Sequence, residues 1–206
     1  MTAGVEGNTR LTSVTGMLLL VLLAVEGVTV ISVGPLISLH VFLGVLLVGP
    51  VLLKCATTVY RFGRYYRGAR PYVEKGPPHL VLRMLGPLVI ASSLAVLGTG
   101  IGLIFTGPDH REPLLTLHKA SFVIWFAAMT IHVLGHVLEA GQGTWRELRD
   151  RRTLARRRGW RAAAVAASLA AGLGLALALY PSAQPWTSNH GDRQGRYARI
   201  ENGSER

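Results

Sequence analysis

The sequence predicts an all-α polytopic membrane protein, a four-helix bundle followed by a fifth C-terminal transmembrane helix. Half of the 206 residues are hydrophobic, and they fall in long blocks of the length needed to cross a bilayer. The formal net charge is +11, and the arginines cluster between the apolar blocks, where the positive-inside rule places them. That placement argues against nucleic-acid binding, the usual reading of such a charge. A single cysteine, Cys55, excludes an internal disulfide and a cysteine-ligated cluster within one chain.

Residues 1–11 are expected to form a short polar tail. The first span runs from about Thr12 to Val33 with Glu26 as its only charge, and no cleavage site precedes it, so it reads as a retained helix. A carboxyl group inside a membrane is either a functional group, relaying protons or meeting a ligand, or a hydrogen-bonded side chain packed between helices. Gly34 and Pro35 suggest a tight turn into the second span, from Pro35 to about Tyr60. One face of that span carries His40, Gly44, Leu47, Val51 and Lys54. Gly44 leaves room for a flat macrocycle, and Lys54, 14 residues from His40 as His132 is from His118, reads as a snorkelling side chain or a partner for a propionate in preference to a ligand. The span leaves the membrane through Arg61, Arg64, Arg67 and Arg70 mixed with Tyr60, Phe62, Tyr65 and Tyr66, a composition suited to the headgroup layer.

The loop GPPH, residues 76–79, brings His79 to the membrane surface before the third span, about Leu80 to Phe105. Gly98, Gly100 and Gly102 suit that span to close helix packing. The polar turn GPDHRE, residues 107–112, holds a solvated His110. The fourth span, residues 117–139, is an apolar helix with three histidines, His118, His132 and His136. The four-helix domain thus covers residues 12–141. A basic loop, residues 142–161, precedes a fifth span, Ala162 to about Tyr180, rich in alanine, leucine and glycine. Residues 181–206 are polar and expected to be a flexible external tail.

Chemistry enters with the histidines, since a histidine in lipid normally faces the bundle interior, a cavity or a cofactor. PLISLH at residues 35–40 is nearly repeated as PLLTLH at residues 113–118, each with a proline suited to a helix's first turn. If both segments enter the membrane from one side, His40 and His118 lie at one depth. Two neutral imidazoles facing each other across a bundle are what a six-coordinate haem iron requires. His132 follows His118 by 14 residues, about 21 Å of rise and about 40° short of full register, with Trp125 between them on the same face. That spacing suits two iron centres stacked across a bilayer. The basic segments at 61–75 and 146–161 place the N-terminus inside and the C-terminus outside the cytoplasmic membrane. His40 and His118 then lie near the outer surface, and His132 and His136 toward the cytoplasm.

These residues together resemble the prokaryotic cytochrome b561-like superfamily, the four-helix membrane haem b cytochromes that serve formate dehydrogenase and nickel–iron hydrogenase. The likeness covers roughly residues 10–140. It rests on the topology, on His40 and His118 at the outer ends of helices two and four, and on His132. It implies a four-helix haem-binding bundle in which His40 and His118 are axial ligands of an outer haem b and His132 is one ligand of an inner haem. The family pattern puts the other inner ligand near the start of helix one, where this chain reads NTRLTSVTG, residues 8–16, without a histidine. His79 and His136 are candidate replacements, although His132 and His136 share one face of one helix. The inner haem is held differently, is five-coordinate, or is absent.

The expected function is a membrane haem b electron-transfer protein between the quinone pool and a redox partner at the outer face. Such a chain is more naturally a subunit of an oxidoreductase than an enzyme alone; the resemblance suggests a molybdopterin oxidoreductase as partner. Membrane lipid and quinone or quinol are the other expected partners, and nucleic acid is not one. Ser38 and Thr116 are candidates for hydrogen bonds to the axial histidines. The alternative is a haem-free membrane carrier or scaffold that uses the intramembrane His and Glu residues to handle protons or a metal ion.

Overall fold

The computed structural model describes residues 3–74, 80–106, 110–149 and 155–186, excluding the side chains of 3, 4, 6, 80–82, 136–149 and 155–158. The described residues form helices α1 (Ala3–Ile31), α2 (Val33–Leu46), α3 (Val48–Tyr66), α4 (Arg70–Glu74), α5 (Leu80–Thr106), α6 (Glu112–Arg149) and α7 (Ala155–Leu179). A 3-10 turn, Tyr180–Ala183, follows. Five stretches are long and apolar enough to cross a membrane: Gly7–Ile31, Val33–Tyr66, Arg83–Thr106, Glu112–Gly135 and Gly159–Trp186. The chain is therefore read as a multi-pass, all-helical membrane protein.

Helix α1 begins well before the expected Thr12. Val5 and Leu11 are buried, and Asn8 donates to the Thr57 carbonyl of α3 at 3.4 Å, so the polar start continues the helix against a neighbour. The turn into the second span falls at Ser32, whose φ of −128° and ψ of 52° leave the helical region. Gly34 and Pro35 sit instead in the first turn of α2, where a proline's missing N–H has no intrahelical partner to lose. The second span is α2 and α3 in series. Leu47 between them stays helical, with its N–H on Leu43 O at 2.9 Å and its own carbonyl accepting from Val51 at 3.0 Å. The local break has a definite cause: Pro50 has no N–H to give the Leu46 carbonyl four residues earlier.

That break is where the fifth span docks. Helix α7 packs on α2 and α3 through Ser168, Gly172 and Ala176, small residues spaced every four. A Cβ on Gly172 would run into the Leu46 carbonyl oxygen, and one on Gly49 into the Ser168 carbonyl. Around them Val45, Ile104, Ala176 and Ala183 form a buried apolar cluster. Residues 181–186 are drawn into this packing: Ala183 is fully buried, and Trp186 donates its indole N–H to Leu103 O at 2.9 Å. Gly172→Ala and Gly49→Ala are each expected to cost about 1–3 kcal/mol, because backbone on both sides cannot yield. A denaturant-unfolding midpoint in detergent reads this, with Gly174→Ala, which faces open space, as the unaffected control.

The first four spans form the bundle. Helix α1 packs on α2, α3 and α6, and α6 on α5, whereas α5 meets α2 and α3 only lightly. The space left at the centre is a cavity, considered below. At the α3 end, Arg83 donates to the Tyr66 hydroxyl at 2.6 Å and stacks 5.2 Å from the centre of that ring. Arg64 lies 5.9 Å from the centre of the Tyr72 ring. These cation–π contacts join basic and aromatic side chains in the mixture suited to a headgroup layer.

Candidate functional site

A cavity of about 510 Å³ runs through the bundle, lined by residues of α1, α2, α3, α5 and α6 and by Trp186. Its volume lies in the range of roughly 300–1,000 Å³ typical of cofactor and ligand sites. Its walls are mostly apolar, with exceptions at more than one level. His40, His118 and Glu26 mark one; Lys54 and His132, each 14 residues further along its span from His40 and His118, also line the cavity, as do Ser93, Thr58 and Lys119.

At the first level the two histidines meet. Their ring centroids are 6.5 Å apart and the ring planes are inclined at 75°. A first-row metal sits about 2 Å from an imidazole nitrogen, so two imidazoles on opposite sides of one iron hold their centres roughly 6–6.5 Å apart. The observed separation fits that arrangement, and bis-imidazole ligation accepts either parallel or crossed rings.

Each ring is held through Nδ1. His40 Nδ1 lies 2.9 Å from Glu26 Oε1 and 3.1 Å from Thr29 Oγ1. The Thr29 hydroxyl donates to the Glu26 backbone carbonyl at 2.7 Å and lies 3.1 Å from Glu26 Oε2. With its hydrogen used there, Thr29 faces the imidazole as an acceptor, as Glu26 does. His118 Nδ1 lies 3.0 Å from Thr99 Oγ1, whose own hydrogen goes to Ala95 O at 2.7 Å. In both rings Nδ1 is thus the donor, which leaves Nε2 with the lone pair. This is the outer-partner pattern of metal-binding histidines, in which the second nitrogen is tied to a carboxylate or another acceptor.

The α5 glycines make room for this level. A Cβ on Gly100 would lie 3.2 Å from His118 Cε1, so the imidazole occupies the space of the missing side chain. A Cβ on Gly102 would meet Leu114 at 3.0 Å, which closes the same α5–α6 seam. Between the two levels Trp125 lines the cavity and donates to Ser93 Oγ at 3.0 Å.

Of the sequence-predicted ligands, the structure brings His40 and His118 together and places His132 further along the same cavity. His79 and the side chain of His136 lie outside the described residues. Ser38 and Thr116 do not reach a histidine among the described contacts; Thr116 faces outward, and Thr29 and Thr99 take the place proposed for them. Hairpin arithmetic carried the missing signal. Glu26 stands six residues before Ser32 and His40 eight after it. Thr99 stands seven residues before the end of α5 at Thr106 and His118 six after the start of α6 at Glu112, so each pair is within two residues of equal distance from its connection. In an antiparallel pair, equal distance from the turn means equal depth.

No family model matches the chain, no curated protein sequence matches it, and no solved structure matches its fold.

Proposed function

We propose that this chain is a membrane haem b electron-transfer protein, passing electrons between the quinone pool and a redox partner at the outer face. The observation that carries the reading is the facing pair His40 and His118, with their Nδ1 atoms tied back and their centroids 6.5 Å apart. The resemblance to the cytochrome b561-like superfamily points the same way. Haem b supplies a one-electron couple when bound, with its potential set by axial ligands, burial and the hydrogen bonds around them.

The protein's part is to fix and tune. His40 and His118 offer neutral Nε2 lone pairs from two helices whose depth is set by separate hairpins. Glu26 and Thr29 hold the tautomer and orientation of His40, and Thr99 does so for His118. The mostly apolar cavity wall surrounds the site with low-dielectric side chains. His132 would hold an inner haem b, and Trp125 fills the protein between the levels. Positive-inside orientation puts the His40 level at the outer face of the cytoplasmic membrane, where a partner such as a molybdopterin oxidoreductase subunit would dock, and the His132 level on the quinone side.

One observation favours a second reading. Glu26 against His40 at 2.9 Å is also the pairing a haem-free proton or metal-ion carrier would use. A reduced-minus-oxidised visible spectrum of purified protein made with ample haem, with a pyridine haemochrome count per chain, separates the two. The haem reading requires a b-type spectrum that a quinol reduces. Protein that stays colourless under those conditions overturns it and leaves the carrier.

A further inference from the structure

We infer that Lys54 is an axial ligand at the second level of the cavity, its ε-amine binding a haem iron opposite His132. The inference rests on the haem reading of the His40–His118 level and extends it to a donor pair of a different kind.

The first argument is register. Lys54 follows His40 by 14 residues, and His132 follows His118 by 14. Fourteen residues are two heptads, the step after which a side chain in a supercoiled bundle returns to an equivalent position on its helix. Both spans are second members of hairpins and run the same way through the bundle. The break at Pro50 does not upset the register, because Leu47 keeps helical angles and hydrogen bonds across it. A step that carries His118 to His132 therefore carries His40 to Lys54. The first pair faces across the cavity, and the second pair lines the same cavity.

The second argument is the lysine's surroundings. A lysine within a span is costly and is normally paired with an acid or reaches the interface. Lys54 does neither among the described residues. Its Nζ donates to a neutral acceptor, the Thr12 carbonyl of α1, at 2.7 Å. Gly16 makes room for it, since a Cβ there would lie 2.9 Å from Nζ. The side chain thus lies at the cavity wall with its Nζ held by α1, and no acidic side chain meets it among the described residues.

Coordination accounts for that arrangement. The ammonium gives up one proton to solvent, and the lone pair so exposed forms the bond to iron, as ligand deprotonation accompanies metal binding generally. The bound amine keeps two N–H groups, so the hydrogen bond to Thr12 O persists and aims the nitrogen. Neither ligand changes oxidation state in this step.

The test uses the full-length chain purified with ample haem, read by pyridine haemochrome and low-temperature EPR. Wild type is expected to carry about two low-spin haems per chain, each with two axial ligands. Lys54→Ala should halve the low-spin signal, and so should Lys54→Arg, because guanidinium keeps the charge but has no lone pair to donate. Lys54→His should restore two low-spin centres with a changed inner-haem g-tensor, and His132→Ala should match Lys54→Ala. Persistence of the His40–His118 signal in every variant shows that the bundle is folded. Two unchanged low-spin haems in Lys54→Arg or Lys54→Ala would overturn the inference, the former marking Lys54 as a charge partner only. A single haem in wild type, lost in His40→Ala, would also overturn it while the outer haem stands. Absence of any haem removes the underlying reading and this inference with it.

Discussion

If the chain holds the proposed outer haem, replacing either His40 or His118 with alanine is expected to abolish its low-spin signature while leaving the bundle folded. The two rings are 6.5 Å apart and come from different helices, so neither can take the other's place. Loss of an outer hydrogen-bond partner typically weakens a metal site about 10- to 100-fold, and loss of the donor nitrogen itself should exceed that. The two variants should be nearly equivalent and the double variant no worse, because one iron needs both ligands. Added imidazole is expected to restore part of the signal, since the substitution to alanine leaves a ring-sized space at the end of the cavity. Titration of haem into apoprotein, followed at the Soret band, checks the affinity, and far-ultraviolet circular dichroism checks the fold. Unchanged haem affinity in both variants would show that the pair is a packing contact between helices.

What the sequence made legible was depth, not contact. Hydropathy blocks and basic loops located the spans, because a bilayer imposes length and charge rules that a sequence carries openly. The PLISLH and PLLTLH segments placed His40 and His118 at one level because helical rise is fixed once the start of each helix is known. Which neighbour each imidazole takes depends on helix rotation and on which spans touch, and neither is a property of one segment. Thr29 and Thr99 were therefore passed over for Ser38 and Thr116, which are nearer in sequence but lie on the histidines' own helices. Helix α7 was opaque for a similar reason. Its alanine and glycine content announced close packing, but the surface it packs on, Gly49 and the Leu46 carbonyl, belongs to a span that nothing in the α7 sequence names. Composition marked both ends as polar tails, and within the described residues Asn8 and Trp186 carry the helical packing into them through Thr57 O and Leu103 O.

Glu26 carries the second large effect, because on the proposed haem reading it would link the geometry of the site to a redox potential. Its Oε1 accepts from His40 Nδ1 at 2.9 Å, and an acceptor at the far nitrogen makes an imidazole a better electron donor. A more basic ligand favours the ferric over the ferrous iron, so removing the acceptor should raise the midpoint potential. Each tenfold change in relative ferric-to-ferrous stabilisation corresponds to about 59 mV for a one-electron couple. Glu26→Ala is expected to raise the outer-haem potential by tens of millivolts and to weaken haem retention about 10- to 100-fold. Glu26→Gln, whose amide oxygen can still accept, should shift both less, and Thr29→Val should shift them least because Glu26 remains. Gly27→Ala is the control beside Glu26: it faces open space outside the cavity and should leave the potential unchanged. Redox titration at fixed pH with optical detection gives the order directly. A potential that falls in Glu26→Ala, or moves equally in Glu26→Gln, would mean that Glu26 does not act as the acceptor of the imidazole N–H.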